Sequence, residues 1–272
     1  MASFQREVKF RLDFMERQVS RWTGPGGILA LLVLWQLVCM TGFVSELYLP
    51  APTSILKTGW DMAMSGEIAV NLQASLQRIV WGFAIGSITG ILIGLATGFS
   101  RLAEAVGNPL IHSLYPIPKI ALLPLIILWL GIGEVSKVSI IALGVFFPVV
   151  INTYSGVKNV DPLLLRVAVS YRASRLSIIR KVVLPAALPV IFAGLKLAAG
   201  TSLLLLVAAE MIAAKEGIGA MILHYGDLML TTKLMVGVLV LSLLGLVFNR
   251  ALEWLERRLI PEKKKKRKIV LT

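Results

Sequence analysis

Apolar and polar positions along this chain fall in long blocks rather than at the short periods of a soluble helix or strand. Runs dominated by aliphatic residues cover 27–44, 79–97, 120–132, 138–154, 190–209 and 234–248. Most approach the roughly 20 residues that a helix needs to cross the hydrocarbon core of a bilayer. Only helices or closed barrels satisfy every backbone polar group in lipid, so the pattern predicts an all-α membrane protein with six transmembrane helices. The third run is short, and its helix is expected to extend backward through 110–118 to reach spanning length. Hydrophobic residues make up 57% of the chain and mean hydropathy is +0.81, too apolar for an ordinary soluble domain.

Between the runs, local signals add detail. Residues 1–23 mix charges with Phe4, Val8, Phe10, Leu12, Phe14, Met15 and Val19, the pattern of an amphipathic helix lying on a membrane surface. This leader carries too many charges for a signal peptide, and no small-x-small cleavage site follows the first run. Pro50 and Pro52 open the next loop, where Thr53 or Ser54 is expected to cap a short amphipathic helix. In the second run Gly82, Gly86, Gly90, Gly94 and Gly98 recur every fourth residue, a stripe that admits close helix approach either within one subunit or between two. The third carries Pro109, Pro116, Pro118 and Pro124, breaks that survive at membrane depth only where protein or water satisfies the freed carbonyls.

Charges at depth are the candidate chemistry. Arg78, Lys119, Lys196 and Glu210 lie in or beside apolar runs. A charge at the bilayer centre costs roughly 3 kcal/mol, so these groups face protein or water. With His112 and Tyr115 they form the candidate translocation pathway, with a purely structural role as the competing reading for each. His112 reads more simply as a packing or hydrogen-bonding residue than as a base.

The net charge of +13 is sorted by loop: 21 Lys and Arg fall in the two termini and the segments at 101 and 158–181, against 4 in the opposite loops. By the positive-inside rule both termini and the basic cluster are cytoplasmic, and nucleic acid is not implied. The lone Cys39 forms no internal disulfide, and with His112 and His224 as the only histidines no metal site is expected. There is no Gly-Lys-Ser/Thr triplet, hence no phosphate loop and no cofactor expected on this chain. No Asp pair, His pair or Ser-Lys arrangement supports an intramembrane enzyme, and no inverted repeat supports a stand-alone channel or secondary transporter.

The cytoplasmic segment begins at Asp161-Pro162, a helix-start signature, and a second helix starts near Ser174. In that second helix Leu176, Ile178, Ile179, Val182 and Val183 share one arc, while Ser174, Ser177, Arg180 and Lys181 share the other. A basic helix against anionic head groups and a docking helix for another protein are both compatible with this pattern.

The stretch RVAVSYRASRLSIIRKVVLPAALP resembles the EAA loop of ABC-importer permeases. Arg166, Val167 and Ala168 stand at its Glu-Ala-Ala, Arg172 at its Gly, followed by Ala173, Ser174 and Arg175, and Leu184-Pro185 at its Leu-Pro. Arg166 and Arg172 depart from that pattern. LYLPAPTSI, PKIALLPLIILWLGIGE, GLKLAAG, VAAEMI and GIGAMI occur in the order of the nitrate, sulfonate, taurine and bicarbonate importer permeases, so the resemblance covers residues 47–260. It implies a type I importer fold like that of the methionine and molybdate importers. The domains are then a leader at 1–23, a permease domain at 24–260 with a coupling loop at 158–185, and a basic tail at 261–272. It further implies a bacterial inner-membrane protein whose partners are cytoplasmic ATPase subunits holding ATP and Mg, an extracytoplasmic substrate-binding protein and a second permease copy. The expected cargo is a small oxyanion, with a vitamin precursor as the alternative.

Overall fold

In the computed structural model, which describes residues 23–260, those residues are helical and contain no strand. The leader at 1–22 and the tail at 261–272 lie outside the described residues, and with them the expected surface helix and eleven of the 21 Lys and Arg counted as cytoplasmic. The helices are α1 (Thr23–Met40), α2 (Pro52–Met64), α3 (Glu67–Phe99), α4 (Arg101–Leu114), α5 (Leu123–Leu130), α6 (Glu134–Lys158), α7 (Pro162–Ser170), α8 (Arg175–Ile178), α9 (Leu184–Ala213), α10 (Ile218–Asp227) and α11 (Thr231–Leu259).

The six apolar runs take unequal forms. α3, α6, α11 and the continuous helical stretch Arg175–Ala213 are each long and apolar enough to cross a membrane, while the apolar part of α1, Gly26–Met40, is shorter. The third run departs from expectation. Instead of one helix extended through 110–118, the chain bends by 89° between Arg101–Leu114 and Lys119–Leu130. Pro116 and Pro118 supply no backbone N–H there, and Pro118 takes an extended ψ of 108°, so α4 stops at Leu114. α3 is longer than its apolar run: 33 residues span about 50 Å, and its first three turns carry Asn71, Ser75 and Arg78 beyond the run. α2 starts at Pro52 with Ala51 as its cap rather than Thr53 or Ser54, because proline at the first helical position needs no N–H partner.

α6 is the centre of the bundle. Its β-branched residues Ile141, Val145, Val149, Thr153 and Val157 repeat every fourth position and sit over Gly82, Gly86, Gly90, Gly94 and Gly98 in turn. The two helices therefore run parallel, ridge in groove. A Cβ on Gly86 would lie 2.4 Å from the carbonyl oxygen of Ala142, which leaves room for nothing larger than hydrogen. The stripe is thus a contact within one chain, not an interface between copies. On its other side α6 packs antiparallel to α9, with Gly194 against Asn152 and Gly156 against Ala187 and Val190. A second apolar cluster, including Ile55, Met62, Ile218, Met221, Tyr225 and Val236, joins α2, α10 and α11.

Candidate functional site

The loop between α6 and α9 is built by capping. Asp161 Oδ1 accepts the N–H of Leu163 at 2.8 Å, and Pro162 opens α7. α7 ends in a Schellman turn: the Arg172 N–H reaches the carbonyl of Val169 at 2.8 Å, and the Ala173 N–H reaches that of Ala168 at 3.1 Å. Arg172 occupies the left-handed position of that turn with φ 53°. For a side chain with a Cβ this conformation costs roughly 1 kcal/mol, which is why glycine is usual there. Ser174 then caps α8 by accepting the N–H of Ser177.

Past α8 the helix passes through one π turn, Ile179–Val183. Pro185 has no N–H to give and its ring crowds the carbonyl four residues back, and the wider turn accommodates both. The loop joins the core cluster through Val160, Leu165, Ile178 and Val183. Arg166, Val167, Arg172, Ser174, Arg175, Arg180, Lys181 and Pro185 are exposed, while Ala168, Ala173 and Leu184 are half-buried.

A cleft of about 370 Å³ opens between the proline break and the faces of α6 and α9, lined among others by Tyr115, Lys119, Phe147, Leu197, Thr201 and Leu204. Among the described residues Lys119 is the only charged one lining it. Its ammonium lies 4.4 Å from the Phe147 ring centre and 5.0 Å from that of Tyr115, and donates to the carbonyls of Leu114 and Tyr115. The break interrupts the helical ladder at both: Pro118 has no N–H for the Leu114 carbonyl, which accepts instead from the Ile117 N–H at 3.3 Å. Tyr115 and Lys119 are thus brought together here, whereas His112 is exposed on α4 outside the cleft lining.

The other candidates go elsewhere. Arg78 and Glu210 meet in a buried cluster at the ends of α3, α6 and α9 opposite the 158–185 loop. The Arg78 guanidinium holds Glu134 with Nε at 2.7 Å and Nη2 at 2.9 Å, and gives Nη1 to Glu210 at 2.8 Å and to the Glu216 carbonyl at 2.6 Å. Glu210, fully buried, also accepts from Ser75 Oγ at 2.7 Å and from the Gly219 N–H at 2.8 Å. Lys137 adds a second buried cation, 2.7 Å from Glu134. With two cations and two carboxylates the cluster is formally neutral, which allows Arg78, Lys137 and Glu210 to be buried while Glu134 stays exposed at its edge. Lys196 pairs instead with Glu256 on α11.

Sequence reasoning missed Glu134, Lys137, Glu256 and Phe147 as partners. The signal available for the first was that Arg78 and Glu210 needed compensation, with Glu134 and Lys137 standing at the mouth of the fourth apolar run.

The family model for the binding-protein-dependent transport system inner membrane component matches residues 86–261. The chain belongs to this family. Both the cleft and the 158–185 loop of the permease lie inside the matched stretch, whereas Arg78 lies just before it. TauC of Escherichia coli (strain K12), a taurine transport system permease protein, is 35% identical over 261 residues, which is 94% of each chain. SsuC of Bacillus subtilis (strain 168), named for aliphatic sulfonates transport, is 38% identical over 85% of this chain and 83% of its own length. NrtB of Leptolyngbya laminosa, a nitrate import permease protein, is 31% identical with 86% of each chain covered.

Among solved structures, the inward-facing MetNI methionine ABC transporter matches with a TM-score of 0.57 at 20% identity, covering 69% of this chain and 93% of its own. An amino acid ABC transporter matches with a TM-score of 0.54 at 21% identity, covering 69% and 92%. The fold is therefore that of ABC-importer permeases. This chain is a multi-pass inner-membrane transport subunit of an ABC importer rather than an enzyme.

Proposed function

We propose that two copies of this permease form the pathway for a small oxyanion. Cytoplasmic ATPase subunits carrying ATP and Mg dock on residues 158–185, and a substrate-binding protein delivers cargo at the opposite end. Charge sorting in the sequence supports placing both termini on the ATPase side. The observation that carries the reading is the architecture of the 162–183 loop: the capped short helix α7 is followed by a second capped helix, α8, that opens a 39-residue helical unit, Arg175–Ala213, with exposed arginines on both.

That unit is a lever. Ser174 and Arg175 lie at its docking end, Leu197, Thr201 and Leu204 line the cleft at its middle, and Glu210 anchors its far end. Motion imposed on the loop by closing ATPases is transmitted along α9 to the cleft wall as a rigid-body shift. Arg166, Val167, Ala168, Arg172, Ala173, Ser174, Arg175, Leu184 and Pro185 are the contact and transmission residues in this scheme.

Cargo class rests on two supports. Lys119 puts a single cation beside the cleft, and relatives are named for taurine, aliphatic sulfonates and nitrate. The test is ATP-dependent uptake by proteoliposomes holding the permease, its ATPase and its binding protein. Nitrate, bicarbonate, taurine and an alkanesulfonate are offered in turn. Accumulation of one of these supports the reading; transport of only neutral or cationic solutes overturns the oxyanion assignment and leaves the importer intact.

A further inference from the structure

Arg172 holds a conformation that glycine would hold without cost. At φ 53° it closes the Schellman turn of α7, and its flanks are the exposed Tyr171 and the half-buried Ala173. Nothing in the fold requires a long side chain there, since both hydrogen bonds of the turn come from backbone N–H groups. A strained residue with a charged, solvent-facing side chain points to use outside the chain.

Its electrostatic setting has one sign. Arg166, Arg172, Arg175, Arg180 and Lys181 are all exposed, and none takes part in an ion pair among the described residues. The acidic residue nearest along this segment, Asp161, is engaged in capping α7. Five cations within sixteen residues repel one another in the free permease, a cost that a carboxylate-bearing partner relieves.

We propose that Arg172 is a partner-specifying contact: it inserts its guanidinium into an acidic groove of the ATPase subunit, with Arg166 and Arg175 flanking it on the rim. This rests on the docking role proposed above and adds the partner's chemistry. Guanidinium suits the role because its planar fork matches a carboxylate in two parallel hydrogen bonds. Anionic lipid is the weaker fit, because a surface-bound helix needs its cations on one face but no strained residue at its end.

Arg172→Gly tests this cleanly, because it removes the side chain while relieving the backbone. The full permease–ATPase complex is assembled in nanodiscs of phosphatidylcholine alone and its dissociation constant is measured from 0.05 to 0.5 M salt. R172G is expected to fold and insert normally, to bind the ATPase about tenfold more weakly at low salt, and to show a shallower salt dependence than wild type. Equal affinity and equal salt dependence in wild type and R172G would overturn the proposal. So would an R172G defect seen only after anionic lipid is added, which would assign the contact to head groups. Val167→Glu in the same assay separates the two levels: if it too binds normally, the docking role of the loop fails, whereas its loss with R172G intact removes only the role of Arg172.

Discussion

Glu210 is where the permease is most exposed to a single substitution. Its carboxylate is fully buried and takes three donors from three places: Ser75 Oγ on α3, the Arg78 guanidinium on α3 and the Gly219 N–H on α10. Glu210→Ala removes the acceptor for all three at once. Ser75 retains its own bond from the Ile218 N–H, and Arg78 retains Glu134 and the Glu216 carbonyl, so the loss is not total. Taking one partner from a buried ion pair costs roughly 3–5 kcal/mol, and the remaining bonds of Arg78 put the expected value near the lower end. Glu210→Gln retains one oxygen but turns an amide N–H₂ toward the Gly219 N–H or toward Arg78, for about 2 kcal/mol.

A surface pair serves as the control. Glu253 and Arg257 are separated by 3.5 Å with more than half of Arg257 exposed, so Glu253→Ala is expected to cost only about 0.3–0.5 kcal/mol. The assay is reversible unfolding in mixed micelles by titrated denaturing detergent, with hydrogen exchange followed at 214–219. Protection there should fall in Glu210→Ala alone. An Ala variant within 1 kcal/mol of wild type, with exchange at 214–219 unchanged, would refute the view that this cluster fastens α3, α6, α9 and α10 together.

Gly217→Ala should damage the same cluster from the other side. Its φ is +132°, and a Cβ would come within 2.5 Å of the Glu210 carboxylate and 2.6 Å of Arg78 Nη1, so a loss of about 1–3 kcal/mol is expected in the same unfolding assay. Gly86→Val, placed against the Ala142 carbonyl, should reduce the yield of folded permease after membrane extraction while the transcript level is unchanged. Lys119→Met should lower anion uptake about tenfold while the ATPase complex still assembles, and unchanged uptake would return Lys119 to a purely structural role. Tyr225 is pushed up to about 12 by burial and then by the Glu67 carboxylate, which accepts a hydrogen bond from its hydroxyl. A raised folded-state value means that its contribution is complete below about pH 10 and lost as pH climbs toward 12, so Tyr225→Phe should flatten the alkaline decline in thermal stability.

What was legible beforehand followed from the simplest physics. Long apolar runs announce bilayer helices, and Asp161-Pro162 and Ser174 announce α7 and α8, because lipid length and capping chemistry act through near neighbours in sequence. Arg172 was readable as a departure from a loop pattern, yet its left-handed backbone was not, since a turn conformation leaves no mark when an unexpected residue adopts it. The proline break was readable as a break, but its 89° angle was not.

The residues alone determined that this is a helical membrane protein with a basic loop at 158–181. The fate of the glycine stripe and of the buried charges was decided only by tertiary structure. Gly82 to Gly98 can face any helix until the stripe of Ile141, Val145, Val149, Thr153 and Val157 is laid against it. Arg78 finds Glu134 and Glu210 across 56 and 132 residues of chain, and Lys196 finds Glu256 across 60. A charge in a membrane demands a partner, but its spacing along the chain does not say which one, because pairing is set by where whole helices pack.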